Sequence, residues 1–334
     1  MNFGATILDA DGLRLSKDEK AFFREADPFG FILFARNIDT PDQVYGLCSE
    51  MRDAVGRDAP ITIDQEGGRV QRLTGPVWRD WAPPLDFVEA AGDDAPRAMY
   101  IRYRLIAQEL AALTIDSNCA PMVDVMTDAT HPFLRNRCYG SDPAAVAEIG
   151  RAVADAHLAG GVLPVLKHMP GHGRATADSH YDLPHVPHEV DELSATDFAP
   201  FRALNDLTMG MTAHLQFSAI DDDPATLSRD VMDLIRKDVG FDGLIMTDDI
   251  GMKALSGTPA QSATRALEAG CDVILYCNAP LADRIAVANA AGQMTDAAQT
   301  RAEAALNARR TPDDIDIAEL NAELEALLGD RLHG

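Results

Sequence analysis

VLPVLKHMPGHGRATADSH, residues 162–180, opens as an apolar run and turns within a few residues into a loop carrying Lys167, His168, His172, Asp178 and His180. An apolar run that ends abruptly in Gly, Pro and ionisable residues reads as a buried strand delivering a polar loop to a site. The rest of the chain is organised around that mouth if its fold brings further polar side chains to the same place.

Working outward, eight short apolar segments follow one another at 5–8, 30–34, 61–63, 115–121, 162–166, 209–213, 244–246 and 273–276. Most are continuous runs rather than strict alternations, the pattern of strands covered on both faces. Helical spacing fills most of the intervals. Residues 41–55 place Val44, Leu47, Cys48 and Met51 on one face behind Thr40 as N-cap. Residues 96–113 repeat Ala98, Ile101, Leu105, Ala107 and Leu110 near a period of 3.6. Residues 143–159 start behind Ser141 or Asp142 with a proline in the first turn, and stop at Gly160-Gly161. Residues 228–239 and 260–269 stop at Gly240 and Gly270.

This alternation predicts the α/β class and a single (β/α)8 barrel of TIM type. An open doubly wound sheet shares the alternation, so the positions of the polar residues discriminate. Asp64 follows ITI, Lys167 and His168 follow VLPVL, His214 follows GMTA and Asp248 follows LIMT, each at the C-terminal end of a strand. That is where a barrel gathers its site. No GxGxxG follows the first strand, which removes the usual support for a dinucleotide fold. Residues 67–94, with Arg69, Arg72, Trp78 and Trp81, read as a long irregular loop after the third strand, lying over one rim. From 312 the chain reads as an amphipathic helix carrying Ile317, Leu320, Leu324, Leu327 and Leu328. Residues 1–334 are thus expected to form one catalytic domain, with 312–334 a helical extension packed on it.

The 53 acidic and 29 basic residues give a formal net charge of -24. Such a charge opposes binding to nucleic acid or anionic lipid, which need a basic surface, yet a few local Arg and Lys suffice for a small anionic substrate. The N-terminus lacks a basic leader, and Asp9 and Asp11 interrupt its first apolar run, so a cytoplasmic location is expected. No run reaches the roughly 18 apolar residues of a membrane span. Five cysteines without a CxxC pair read as reduced, packed thiols.

Asp178 and His180, two apart in an extended segment, point the same way, so the carboxylate reaches the ring and favours imidazolium, a proton donor. A plain loop-stabilising hydrogen bond fits the same pair. His168, His172 and His180 with Asp178 also invite a metal, but HMPGHG matches no zinc spacing, and no metal or cofactor is expected. Asp248 and Asp249 follow a strand that fixes a carboxylate for nucleophilic attack, although adjacent acids also serve as caps or solvated turns. A proton donor facing such an acid across the mouth is the pair that glycosidic bond cleavage requires. In DQEGGR, residues 64–69, Asp64 suits vicinal hydroxyls and the glycines allow close backbone approach. Arg137 suits a hydroxyl or carboxylate, with Asp124 expected to hold it. The candidate substrate-binding set is Asp64, Arg72, Arg137, Lys167, His168, His214 and Met252.

Taken together, IDQEGGRVQRL at 63–73, KHMPGHGRATADSH at 167–180, MTAH at 211–214 and LIMTDDIGM at 244–252 resemble glycoside hydrolase family 3, specifically its single-domain bacterial β-N-acetylhexosaminidases. The resemblance spans about residues 3–290. It implies a retaining mechanism with Asp248, rather than Asp249, as nucleophile and the Asp178–His180 pair as general acid/base. It also implies sugar binding by Asp64, Arg137, Lys167 and His168. The implied substrate is terminal β-linked N-acetylglucosamine, in particular that of 1,6-anhydro-N-acetylmuramyl peptides from cell-wall recycling. A β-glucosidase or β-xylosidase of the same family, a metallohydrolase and a non-catalytic muropeptide-binding protein are the alternatives. Arg174 stands where the commoner motif has Asp, and its charge is expected to favour anionic muropeptides. The chain leaves open whether it is a monomer or a weak homodimer.

Overall fold

The computed structural model describes residues 2–177 and 182–329. In chain order its strands are β1 (Gly4–Leu8), β2 (Pro28–Leu33), β3 (Ile61–Ile63), β4 (Ser117–Asn118), β5 (Leu163–Pro164), β6 (Leu166–Met169), β7 (His185–Val186), β8 (Met209–Thr212), β9 (Gln216–Phe217), β10 (Leu244–Met246) and β11 (Ile274–Tyr276). Each of the eight apolar segments contains one. The strands pair in parallel as a six-stranded sheet, β11-β1-β2-β3-β4-β5, and a three-stranded sheet, β10-β8-β6. A parallel bridge between Met246 and Val273 links the end of β10 to the entry of β11. Only Val165 separates β5 from β6.

β1 and β2 are buried along their whole lengths, as strands sandwiched between two layers must be. Helices alternate with them and supply the outer layer; Phe23 of the helix Lys17–Ala26 meets Phe31 of β2 edge-on, with ring centroids 5.0 Å apart. The helix Pro41–Val55 is capped by Thr40, the helix Pro143–Ala159 by Asp142, and the helix Arg229–Leu234 by Ser228. The last of these continues as a π-helical turn, Ile235–Val239, before Gly240 ends it in the left-handed conformation.

Two expectations about the irregular segments are corrected. Residues 67–94 contain a helix, Pro84–Ala91, because Pro84 suits a first turn and Leu85, Phe87, Ala90 and Ala91 are all buried. The irregular loop is therefore 64–83. The C-terminal helix starts at Ile317 rather than near 312, where the Asp316 carboxylate caps the Ala318 and Glu319 amides. It packs on the helix Ala95–Ala112 through buried Leu324 and Leu328 and a bidentate Arg97–Glu323 pair at 2.7 Å for both bonds. The short β7–β9 pair was not legible in the sequence. All five thiols are buried. Among the described residues no helix is long and apolar enough to cross a membrane.

Candidate active site

Parallel strands present all their C-terminal ends on one side, where Asp64, His214 and Asp248 follow β3, β8 and β10; Lys167 and His168, expected just after a strand ending at 166, instead lie within β6. Pairing between β6 and β8 shifts register between Leu166 and Met169, and Lys167 and His168, though adjacent, both line the same cavity. The cavity has a volume of about 280 Å³. Of its lining, Ile32, Arg137, Lys167, His168, Met211 and Leu275 are buried, while Asp64, Asp248, Met252 and Phe34 are part-exposed.

A buried ion cluster forms the polar wall. Lys167 Nζ lies 3.1 Å from Asp64 Oδ1 and 2.6 Å from Glu66 Oε1. Arg72 Nη2 donates to Asp64 Oδ2 at 3.0 Å, and Arg137 grips Glu66 with two bonds of 2.9 and 2.7 Å. Burial alone would push both carboxylates up. Lys167 and Arg72 outweigh it at Asp64, which is held well below the usual carboxylate range. At Glu66 burial is outweighed by Arg137 and Lys167, which hold the group at about 2. Burial works against the Lys167 ammonium in turn, and Glu66 and Asp64 overcome it and raise it. Lys167 and Arg137 are thus held charged and fixed in direction, an arrangement suited to holding the hydroxyls of a neutral ligand.

Glu66, not Asp124, holds Arg137, which corrects the expected pairing. Asp124 instead accepts from His168 Nδ1 at 2.7 Å and from the His172 amide at 2.7 Å, which leaves the other ring nitrogen of His168 for the cavity. His172, packed with its ring centroid 5.6 Å from that of His168, is not a lining residue. Its pKa is pushed down to about 4, by burial first and by His168 second.

The two adjacent acids have different surroundings. Thr247, ahead of them, is tied to the next strand twice: its amide donates to Val273 O at 3.1 Å, and its hydroxyl accepts from the Leu275 amide at 2.9 Å. Asp248 leaves this fixed point into the cavity. Burial would raise its pKa, but nearby His214 and His168, the Asp249 amide at 2.8 Å and Lys167 more than compensate, so it is lowered. Asp249 goes the other way, raised to about 6 by burial and, less, by the charge of Asp248, against the amides of Gly251 and Cys277. An ionised carboxylate is the form a nucleophile needs, and Asp248 is the acid that keeps it.

This contrast has a pH consequence. A carboxyl whose folded pKa is raised favours the folded state below its unfolded value, near 4, and that contribution is lost as pH rises through about 6. Asp249→Asn keeps the acceptor oxygen but cannot ionise. Thermal melting from pH 4 to 8 is expected to show the variant gaining on wild type as pH rises through 6; parallel curves would contradict the assignment.

Of the candidate residues, Asp64, Arg72, Arg137, Lys167, His168, Asp248 and Met252 line the cavity. His214 does not: its ring lies behind the strand end, between Thr226 Oγ1 at 2.7 Å and the Asp249 carbonyl at 3.0 Å. It supports the acids from behind. Asp178 and His180 lie outside the described residues. Arg174 is taken up by Asp197 at 2.7 Å and Glu192 at 2.9 Å and does not line the cavity, so the charge expected to attract anionic substrates is already matched by two carboxylates. The segment ahead of it is equally fixed, since Thr130 donates to Gly173 O at 2.5 Å and a Cβ at Gly173 would run into the Val125 carbonyl. Sequence reasoning missed Glu66, Phe34, Arg69, Phe133 and Asn278. For Glu66 a signal existed: it lies two residues beyond Asp64 in the same strand-end loop.

The profile of the glycosyl hydrolase family 3 N-terminal domain matches residues 7–309. The chain is 38% identical over 280 residues to the beta-hexosaminidase of Methylococcus capsulatus, covering 82% of this chain and 83% of that one. A family 3 β-N-acetylglucosaminidase from a Paenibacillus species superposes with a TM-score of 0.85 at 30% identity, over 97% of this chain and 67% of the other. NagZ from Neisseria gonorrhoeae, in complex with N-trifluoroacetyl-D-glucosamine, superposes with a TM-score of 0.80 at 27% identity over 98% and 99% of the two chains. With its strand-end acids, its ion cluster and a family match over nearly all of its elements, the chain belongs to glycosyl hydrolase family 3.

Proposed function

We propose that the chain is a retaining exo-β-N-acetylglucosaminidase that removes terminal β-linked N-acetylglucosamine, with muropeptides of peptidoglycan recycling as its substrates. One observation carries this reading: a carboxylate held ionised, Asp248, opens into a cavity of about 280 Å³ walled by the Asp64, Lys167 and Arg137 cluster. That volume falls at the lower edge of the about 300–1,000 Å³ of small-ligand sites, room for a single sugar ring rather than a polysaccharide chain. A β-N-acetylglucosaminidase and a protein seen with an N-acylated glucosamine are among its structural relatives.

In the proposed reaction Asp248 attacks C1 as His180, in its imidazolium form, protonates the leaving oxygen. The resulting glycosyl ester is hydrolysed by water that neutral His180 activates, and Asp178 orients the ring. Both residues of that pair come from the sequence resemblance. Asp64, Arg72, Arg137, Lys167 and His168 would hold the sugar hydroxyls, with Met252 at its edge and His214 supporting Asp248. We further propose that β1–β4, the segment formed by β5 and β6 together, β8, β10 and β11 close as eight strands into one (β/α)8 barrel within a single catalytic domain, with the helix Ile317–Leu328 as an extension. The Met246–Val273 bridge and the continuity of β5 with β6 support closure.

Hydrolysis of an aryl N-acetyl-β-glucosaminide beside the matching aryl β-glucoside tests the substrate class. A preference on the order of a hundredfold for the N-acetylated sugar is expected. Equal turnover would indicate a β-glucosidase, and folded protein that turns over neither would leave only a binding role.

A further inference from the structure

Three members of the polar wall, Lys167, Arg72 and Arg137, can only donate hydrogen bonds, and the two oxygens of Asp64 already accept from Lys167 and Arg72. A sugar hydroxyl brings a proton of its own and needs an acceptor for it. The ring of His168 lines the same cavity and can face a ligand either as an acceptor or as a donor. Which of the two it is depends on Asp124, behind it.

Asp124 is fully buried. Its Oδ1 accepts from the backbone amides of His172 at 2.7 Å and His168 at 3.3 Å, and its Oδ2 lies 2.7 Å from His168 Nδ1. The segment that carries it is tied to β6 itself, since the Val123 amide donates to the Lys167 carbonyl at 2.9 Å. Burial would raise the pKa of Asp124, but His168 first and His172 second outweigh it, so the pKa is lowered and the carboxylate has no proton to give. His168 Nδ1 must therefore carry the hydrogen of that bond. In the uncharged ring Nε2 is then a bare acceptor.

We infer that Asp124 is a positioning residue for substrate selection: it holds His168 as the Nδ1–H tautomer, so that Nε2 accepts the proton of one ring hydroxyl and favours a sugar in which that hydroxyl is free. The inference rests on the N-acetylglucosaminidase reading for its substrate. Asp124 itself touches neither the sugar nor the reacting atoms.

The substitution Asp124→Asn reverses the polarity of the ring without changing the shape behind it. The new carbonyl oxygen is claimed by the two backbone amides that Oδ1 serves, because the opposite placement sets an NH2 group against two N–H groups and leaves them unpaired. The NH2 group then faces His168 Nδ1, which must give up its hydrogen. The cavity nitrogen becomes an N–H donor.

Two measurements test this. In protein carrying isotope-labelled histidine, long-range proton–nitrogen correlation at neutral pH reads the ring directly, with His168→Asn assigning the resonance. Wild type is expected to show a protonated Nδ1 and a bare Nε2, and D124N the reverse. Wild type with Nε2 protonated, alone or together with Nδ1, overturns the inference, and this result needs neither substrate nor a folded variant. The second measurement compares aryl N-acetyl-β-glucosaminides in which fluorine, which gives no proton, replaces the C3, C4 or C6 hydroxyl. At the position facing His168 wild type is expected to lose about tenfold in kcat/KM, and in D124N that loss should shrink to about threefold or less while the other positions keep theirs. If D124N lowers every rate and leaves the ratios unchanged, Asp124 is merely structural and the inference fails. Wild type that does not cleave the unfluorinated glycoside overturns the N-acetylglucosaminidase reading, and the tautomer measurement still decides the role of Asp124.

Discussion

Asp248→Ala is expected to leave less than about a hundredth of wild-type kcat on an aryl N-acetyl-β-glucosaminide, because removal of the nucleophile deletes a covalent step rather than weakening a contact. The backbone at 247 is anchored to β11 through both the amide and the hydroxyl of Thr247, so the fold should survive the change. Melting temperature near that of wild type is therefore part of the expected result. Added azide supplies a small nucleophile in the vacated space, and a glycosyl azide of inverted configuration is the expected product. Turnover well above a hundredth, in folded protein and without azide, would move the nucleophile elsewhere, Asp249 being the first candidate.

Glu66→Ala should be the most destabilising single change in the site. It strips the shared carboxylate from Arg137 and Lys167, both nearly inaccessible, and breaking a buried pair from one side costs about 3–5 kcal/mol. For a chain of 334 residues that corresponds to a melting temperature lower by about 4–7 °C. Glu66 is depressed to about 2 in the fold, so its contribution is fully present above the ordinary glutamate value near 4.5 and is lost as pH falls toward 2. The gap between variant and wild type should therefore narrow below pH 4.5. Lys167 keeps Asp64 as a partner while Arg137 loses its bidentate grip on Glu66, so KM is expected to rise more than kcat falls. A melting temperature within about 2 °C of wild type at pH 7 would mean that the cluster relaxes or admits water.

The strand ends explain why so much of the site could be read from the chain. Asp64, Lys167, His168 and Asp248 each follow a short run of buried residues, and a parallel α/β arrangement has one side on which such residues can meet. Local order therefore carried long-range information. Side-chain partners did not follow in the same way. Asp124 was a plausible holder for Arg137, and the choice of Glu66 instead depends on how the 64–83 loop turns back over the mouth. His214 has the same strand-end position as Asp248, yet Thr226, on a different segment, turns its ring away from the cavity.

Arg174 shows the division most clearly. Nothing in its local sequence says whether it reaches the ligand, and Asp197 and Glu192, some twenty residues downstream, draw it aside. By itself the sequence determined the eight buried strand segments, the helices near 41–55, 96–113, 143–159, 228–239 and 260–269, and the positions of Asp64, Lys167, His168 and Asp248 at or near strand ends, because apolar period and strand-end position are properties of neighbours along the chain. Only the tertiary structure decided which charge faces which, and which of two adjacent acids stays ionised, because burial and Coulomb attraction depend on groups that folding alone brings within a few ångströms.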